Sequence, residues 1–346
     1  MQMKVEKMKM KLYNSNKTIE EFLKNKKVLY IATKNFDYIR ISQEMGLIKK
    51  YSQSTDLVIS DKKNYFHRCL DIYLKLLFTN VDKYDIVFVG FMAQMIILPF
   101  YWKIHRKIII VDFFISVYDT LVFDRKVIKQ KSWCAHLLKR IDRLTLSRAQ
   151  MVIADTVQHK IFFSREFAIE ENKIQVLYLA VDDDIYYPRK QVKESQWVNK
   201  YLVLYFGSIL PLQGIEIILQ AIKEIEEPNI SFLIIGPVKD TKEIRNLPNV
   251  THIQWVSQKQ LAEYISEADL CLAGHFSMEI EKARRTIPGK AYIYSHMEKA
   301  IILGENPANH ELFSEGQSGI HFVKMGDSAE LRNKILTCYK EYLSHE

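Results

Sequence analysis

The stretch EKARRTIPGKAYIY (281–294) places Lys282, Arg284, Arg285 and Lys290 within nine positions, with Pro288 where a helix can begin. Cations at a helix start oppose its dipole by about 0.3–1 kcal/mol each. A bound anion would reverse that penalty through charge-assisted hydrogen bonds, so the pattern points to an anionic ligand. A second stretch, YFGSILPLQGIEIILQAI (205–222), runs from an apolar strand through Gly207, Ser208, Gln213 and Gly214 into an amphipathic helix. Glycines at such a turn admit a ligand close to the backbone, and the unpaired N–H groups of the helix start favour negative charge. In a third, ENPANHELFSEGQSGIHFV (305–323), Glu311 follows a strand end, where it either hydrogen-bonds a sugar or ribose hydroxyl or simply suits a helix start.

Towards the amino terminus, IIIVDFFISVYDTLVFDRK (108–126) ends a buried run at Asp112 and continues through Asp119, Asp124 and Arg125. Asp112 ranks first as a catalytic or acceptor contact, against the plainer role of a helix cap. MIILPFYWKIHRK (95–107) sets Phe100, Tyr101 and Trp102 beside Lys103, Arg106 and Lys107, which reads either as an interfacial membrane contact or as a core helix with a basic end. The ten histidines show no metal-ligand spacing, and His275, near the carboxy-terminal motifs, is a lone histidine of the kind that is more often structural; Cys69, Cys134, Cys271 and Cys338 form no CxxC pair. No metal site is expected, and a reducing cytoplasm fits.

These residues need a scaffold, and the chain supplies a repeated one. Apolar, β-branched runs at 27–33, 55–60, 84–90, 107–112, 151–155 and 174–179 alternate with helical patterns, as in a parallel α/β sheet. A polar segment, VDDDIYYPRKQVKESQWVNK (181–200), interrupts the rhythm, and a second series follows at 201–209, 230–236, 251–256, 269–274, 300–305 and 319–324. The reading is a basic extension (1–24), a first domain (25–180), a linker (181–200), a second domain (201–326) and a final helix (327–346). A length of 346 residues suits two cores. The uncharged run 86–102 falls short of the roughly 20 apolar residues of a bilayer span. Residues 1–190 hold 33 Lys and Arg against 21 Asp and Glu, whereas the remainder holds 16 against 20. The basic half is the one expected to face something anionic, if its charge is more than a solvated surface.

In order and spacing, these segments resemble a GT-B glycosyltransferase, and more narrowly family 4. The resemblance rests on LYLAVDDDIYYP, FGSILPLQGIEIILQAI, FLIIGP, VTHIQWVSQKQLAEYISEADLCL, IPGKAYIYSHMEKAIILGENPANHELF and SGIHFVKMGDSAELRNKI. It implies an α/β protein of two Rossmann-like parallel-sheet domains facing a cleft, with the final helix crossing back to the first domain. It also implies transfer of a sugar from a nucleotide-sugar to a glycan or lipid-linked acceptor, with retention and without a bound metal or other cofactor. Donor contacts carried over are Gly207, Ser208, Gln213, Gly214, Lys282, Arg285, Lys290 and Glu311, with Trp255 and Val256 near the base; Asp119, Asp124 and Arg125 fall on the acceptor side.

Three departures stand out. Ser208 and Gln213 replace the usual loop Arg and Lys, and Arg285 and Ile293 occupy the usual Glu-x7-Glu positions. Positive charge lost from the first loop reappears in the run Lys282, Ala283, Arg285, Ile287, Pro288 and Lys290, as in a divergent subgroup of the family. The same departures keep open a non-catalytic GT-B homologue that acts as a binding or partner subunit. A cytoplasmic location with peripheral contact to an anionic membrane is expected, and nucleic acid is not an expected partner.

Overall fold

The computed structural model describes residues 16–34, 38–190, 192–208, 210–237, 247 and 249–344. Residues 1–15 of the anticipated basic extension lie outside this set. The rest of it is no extension, because a helix over 16–23 buries Ile19 and Leu23 in a core of the first domain. The chain forms two compact units, one ending at Ala180 and the other beginning at Val181.

The first unit contains β1 (Lys27–Ile31), β2 (Ser54–Val58), β3 (Ile86–Val89), β4 (Ile108–Asp112), β5 (Met151–Ala154) and β6 (Ile174–Val176). All pair in parallel, in the order β2-β1-β3-β4-β5-β6. Strands β3 and β5 are buried along their whole length, which is why they read as unbroken apolar runs. On one face, Leu29, Val87, Ile109 and Val152 pack against the helices Tyr65–Phe78, Ile97–Ile104, Trp133–Ser147 and Val157–Phe167. On the other, the alternate residues Val28, Ile86, Ile110 and Met151 meet the helix Ile39–Tyr51.

The second unit contains β7 (Tyr201–Phe206), β8 (Ile230–Ile235), β9 (Val250–Ile253), β10 (Leu270–Leu272), β11 (Ala300–Gly304) and β12 (Ile320–Val323). Their order is β12-β11-β10-β7-β8-β9, again parallel. The order reverses between β7 and β10, so the loops leaving these two strands open a crevice at their carboxyl ends, the usual ligand position in such sheets.

The final helix, Ser328–Leu343, is capped by Asp327, which accepts from Glu330 N at 2.9 Å. Its apolar stripe, Leu331, Ile335, Cys338 and Tyr339, is buried in the second core with β7 and the helix Ile215–Lys223. The 181–200 segment is also more than a tether. Lys193 pairs with Asp269 at 2.6 Å, Glu194 N donates to Glu267, and buried Trp197 meets Tyr264 edge-on. Among the described residues, no helix is long and apolar enough to cross a membrane.

Candidate functional site

Four glycines shape the crevice of the second domain. Gly207 ends β7, and Gly236, just past β8, has φ +125°; a Cβ on Gly236 would fall 2.0 Å from the Gly207 carbonyl oxygen. Gly214 precedes the helix Ile215–Lys223 at φ +66°, and a Cβ there would reach Ser277 N at 2.7 Å. Gly274 follows β10 at φ +79°. Only glycine lets these backbones approach so closely. The loops after β7 and β10 are held together by a small apolar cluster of Leu212, Ile280, Ala283 and Met325.

Lys290 extends into the space the glycines leave. It lies in the first turn of the helix Gly289–His296, and Pro288 is the residue before that helix, where sequence reasoning placed its first turn. Lys290 is 5% exposed, and its Nζ donates to Gln213 Oε1 at 2.6 Å. The amine also lies 4.1 Å from the centroid of the Tyr205 ring and 5.7 Å from that of Phe206. A Cβ on Gly207 would come within 2.8 Å of Nζ, and one on Gly274 within 3.1 Å. Among the described residues no carboxylate pairs with this amine, and burial alone drives its pKa well below the usual lysine range. A buried amine whose neighbours are an amide oxygen and two ring faces is poised for an anion.

The other residues singled out in the second domain are spread along the strand ends. Ser208 is exposed in the loop after Gly207, and Gln213 is half-buried. Lys282 is buried in the turn Glu281–Arg284, whereas Arg284 is exposed and Arg285 half-buried. Trp255 is 78% exposed and adjoins half-buried Val256 beyond β9, at the sheet edge. Glu311 closes the turn Asn309–Glu311 beyond β11, half-buried. His275, at φ +59°, is buried, and its Nδ1 contacts Thr286 O at 3.1 Å, a link that ties β10 to the cationic loop.

In the first domain, Asp112 is not an open catalytic carboxylate. Both of its oxygens accept from Arg40, Nε to Oδ2 at 2.9 Å and Nη2 to Oδ1 at 3.0 Å, and neither side chain is exposed. Arg40 also donates to the Leu177 carbonyl. Burial opposes the guanidinium charge, but Asp112 more than restores it and moves the Arg40 pKa up. Beside them Glu44 accepts from Tyr30, and burial, then Asp112, raises its pKa well above the carboxylate range. Asp155 and His159 form a further buried pair; burial pushes the Asp155 pKa up, but His159 outweighs it and the net shift is down.

Arg40 and Glu44 lie within a helix, away from the strand ends and loops that mark a site in sequence. A signal was available, since positions 40, 44 and 48 form one stripe of the helix Ile39–Tyr51 and two carry charges among apolar neighbours. Asp119 and Asp124 are buried and Arg125 is exposed. Asp119 lies in the short helix Val117–Asp119, whose capping Ser116 donates to Asp142 at 2.6 Å. Burial pushes the Asp142 pKa up to about 6. The fold also gathers His321, Cys338 and Glu341, with one candidate ligand atom from each within 4.8 Å of the others. Burial pushes the thiol up to about 12, which disfavours the thiolate a metal needs.

The sequence of residues 200–341 matches the family model Glycosyl transferases group 1. The match falls within the second domain and covers less than half of the chain. The chain as a whole has the GT-B fold, as solved structures show. HepE from Anabaena, crystallised with UDP and glucose, superposes with a TM-score of 0.63 over 92% of this chain and 91% of its own, at 14% identity. A sucrose-phosphate synthase from Thermosynechococcus elongatus gives 0.66 over 91% and 90%, at 12% identity. An uncharacterised 41.2 kDa protein of the cps region of Klebsiella pneumoniae is 25% identical over 225 residues, which is 63% of this chain and 59% of that relative. The crevice described above lies within the region that the family model matches.

Proposed function

We propose that this protein is a metal-independent, retaining glycosyltransferase of the family 4 type. It would use a nucleotide-sugar to extend a glycan or lipid-linked acceptor in cell-surface polysaccharide synthesis, working on the cytoplasmic side of the membrane. The observation that carries the reading is Lys290, a buried amine with no acid beside it among the described residues, at the topological switch point of the domain that the family model matches. The HepE complex with UDP and glucose and the cps-region relative support the donor and the pathway class.

The strand order gives the donor a direction. Trp255 follows β9, Gly207 and Lys290 adjoin β7 and β10, and Glu311 follows β11, so four strand spacings of about 4.8 Å separate the ends. Base, diphosphate and sugar fit in that sequence. Lys290 and Arg285 would hold the leaving diphosphate, with Gln213 keeping the amine aimed and Gly207 to Gly214 presenting backbone N–H groups. Charge that the first loop lacks at Ser208 and Gln213 is thereby supplied from the second.

The decisive experiment incubates the purified protein with a panel of nucleotide-sugars and follows nucleotide release without acceptor. Slow release from one donor, abolished in Lys290→Ala and strongly reduced in Arg285→Ala, is the expected result. Tight nucleotide binding with no release from any donor would favour the non-catalytic reading, and no binding at all would overturn both.

A further inference from the structure

The helix Tyr65–Phe78 buries Arg68, Ile72 and Leu76, yet its opposite face is not polar. Phe66 and Phe78 are 74% and 83% exposed, and Leu70, Leu74 and Leu77 are each about half exposed. Residues 66, 70, 74 and 77 fall on one stripe, so the helix presents apolar side chains outward as well as inward, contrary to an ordinary surface helix. The apolar surface continues onto its neighbours. Tyr73 packs edge-on against Phe100 of the helix Ile97–Ile104 and donates to Met95 O, and Lys103 donates to Leu76 O at 3.0 Å. Trp102 on that helix is 64% exposed. Arg148, which follows the helix Trp133–Ser147, lies over Tyr101 at 4.5 Å, and that third helix exposes Trp133 by 74% together with Leu137 and Leu144.

Charge identifies the occupant. Residues 101–150 contain eleven Lys and Arg, none of them buried, and four aspartates, Asp112, Asp119, Asp124 and Asp142, all of them buried. Arg140, Arg143 and His136 flank the exposed Trp133, Leu137 and Leu144. On the first helix, Asp71 is neutralised by Lys75 at 2.9 Å. Protein interfaces are depleted in lysine at their centres, and nucleic acid makes little use of exposed leucine. Tryptophan, phenylalanine and leucine interleaved with cations match the boundary between acyl chains and anionic headgroups.

We propose that the outer face of these three helices docks the first domain on an anionic lipid surface. This deepens the functional reading by naming where a lipid-linked acceptor would be met, and donor binding does not depend on it. The test is flotation of the full chain with phosphatidylcholine vesicles, with and without about 30% phosphatidylglycerol. Binding is expected only to the anionic vesicles and is expected to weaken in about 0.5 M NaCl. Arg140→Gln with Arg143→Gln should weaken it by at least about tenfold. Trp102→Ser with Trp133→Ser should weaken it several-fold, while Lys49→Gln with Lys50→Gln, on the helix packed against the opposite sheet face, should bind as wild type. Thermal unfolding of each variant confirms an intact fold. No binding to anionic vesicles, or equal losses in all three variants, overturns the proposal. So does a concentration-dependent dimer that Phe66→Glu dissociates in protein that binds no vesicles. Nucleotide release is scored separately, so failure here leaves the donor site standing.

Discussion

Two cations, Arg40 in the first domain and Lys290 in the second, are both buried and electrostatically opposite. Arg40 meets Asp112 through two parallel hydrogen bonds and caps the Leu177 carbonyl with a third, so its charge is fully answered within the protein. Lys290 has an amide oxygen and aromatic faces, and its burial depresses its pKa with nothing to offset it. A completed ion pair fixes a fold; an uncompleted one leaves a site for a counter-ion. The difference separates the aspartate ranked first from sequence, which proves to be structural, from the lysine that now anchors the functional reading.

The comparison breaks most sharply at Arg40. Arg40→Met should destabilise the protein by about 3–5 kcal/mol in urea unfolding, because it strands Asp112 in the interior. Arg40→Met with Asp112→Leu should regain much of that loss, and a double variant no better than the single would show that the two side chains are not a closed pair.

Lys290→Met should do the reverse of Arg40→Met. Removing an amine with no acid beside it should raise the melting temperature of the ligand-free protein while weakening nucleotide diphosphate binding by roughly 10- to 100-fold. A variant with lowered stability and unchanged binding would make Lys290 a structural residue after all.

Asp142 gives a smaller, pH-dependent effect. Its pKa is raised to about 6 by burial, so the folded state holds a proton that the unfolded state has released. The stability it contributes is present at low pH and is lost as pH rises from about 4 to 6, by up to about 2 kcal/mol. Asp142→Asn should flatten that slope, as read from urea midpoints across the range.

The smallest signal sharpens the Lys290 side. A diphosphate beside this amine restores its charged form, so nucleotide binding should take up a fraction of one proton. Calorimetry in buffers of different ionisation enthalpy measures the uptake, and affinity should fall as pH rises through the free-state pKa and level off above the bound-state pKa. An uptake unchanged in Lys290→Met would assign the proton elsewhere.

The alternation of apolar runs and helical patterns was enough to place the twelve strands found among the described residues, because parallel strands covered on both faces have a distinctive composition. Gly207, Gly214 and Lys290 were legible too, as strand-end and helix-start residues. What was hidden depended on packing direction. Tyr65–Phe78 is apolar on two faces, so the string of letters could not say which one met the core. Arg40 and Glu44 were concealed by lying on a helix stripe that otherwise looked like ordinary core. The final helix shows a plain amphipathic stripe, Leu331, Ile335, Cys338 and Tyr339, which the structure buries in the second core.

That last feature bears on how such a protein diversifies. Because the terminal helix completes the core of the half that carries it, everything from Val181 onward is contiguous in the gene as well as in space. A single crossover near codon 180 could exchange the first half and leave the crevice of the second whole, so new specificities could arise by shuffling halves as readily as by reworking a pocket.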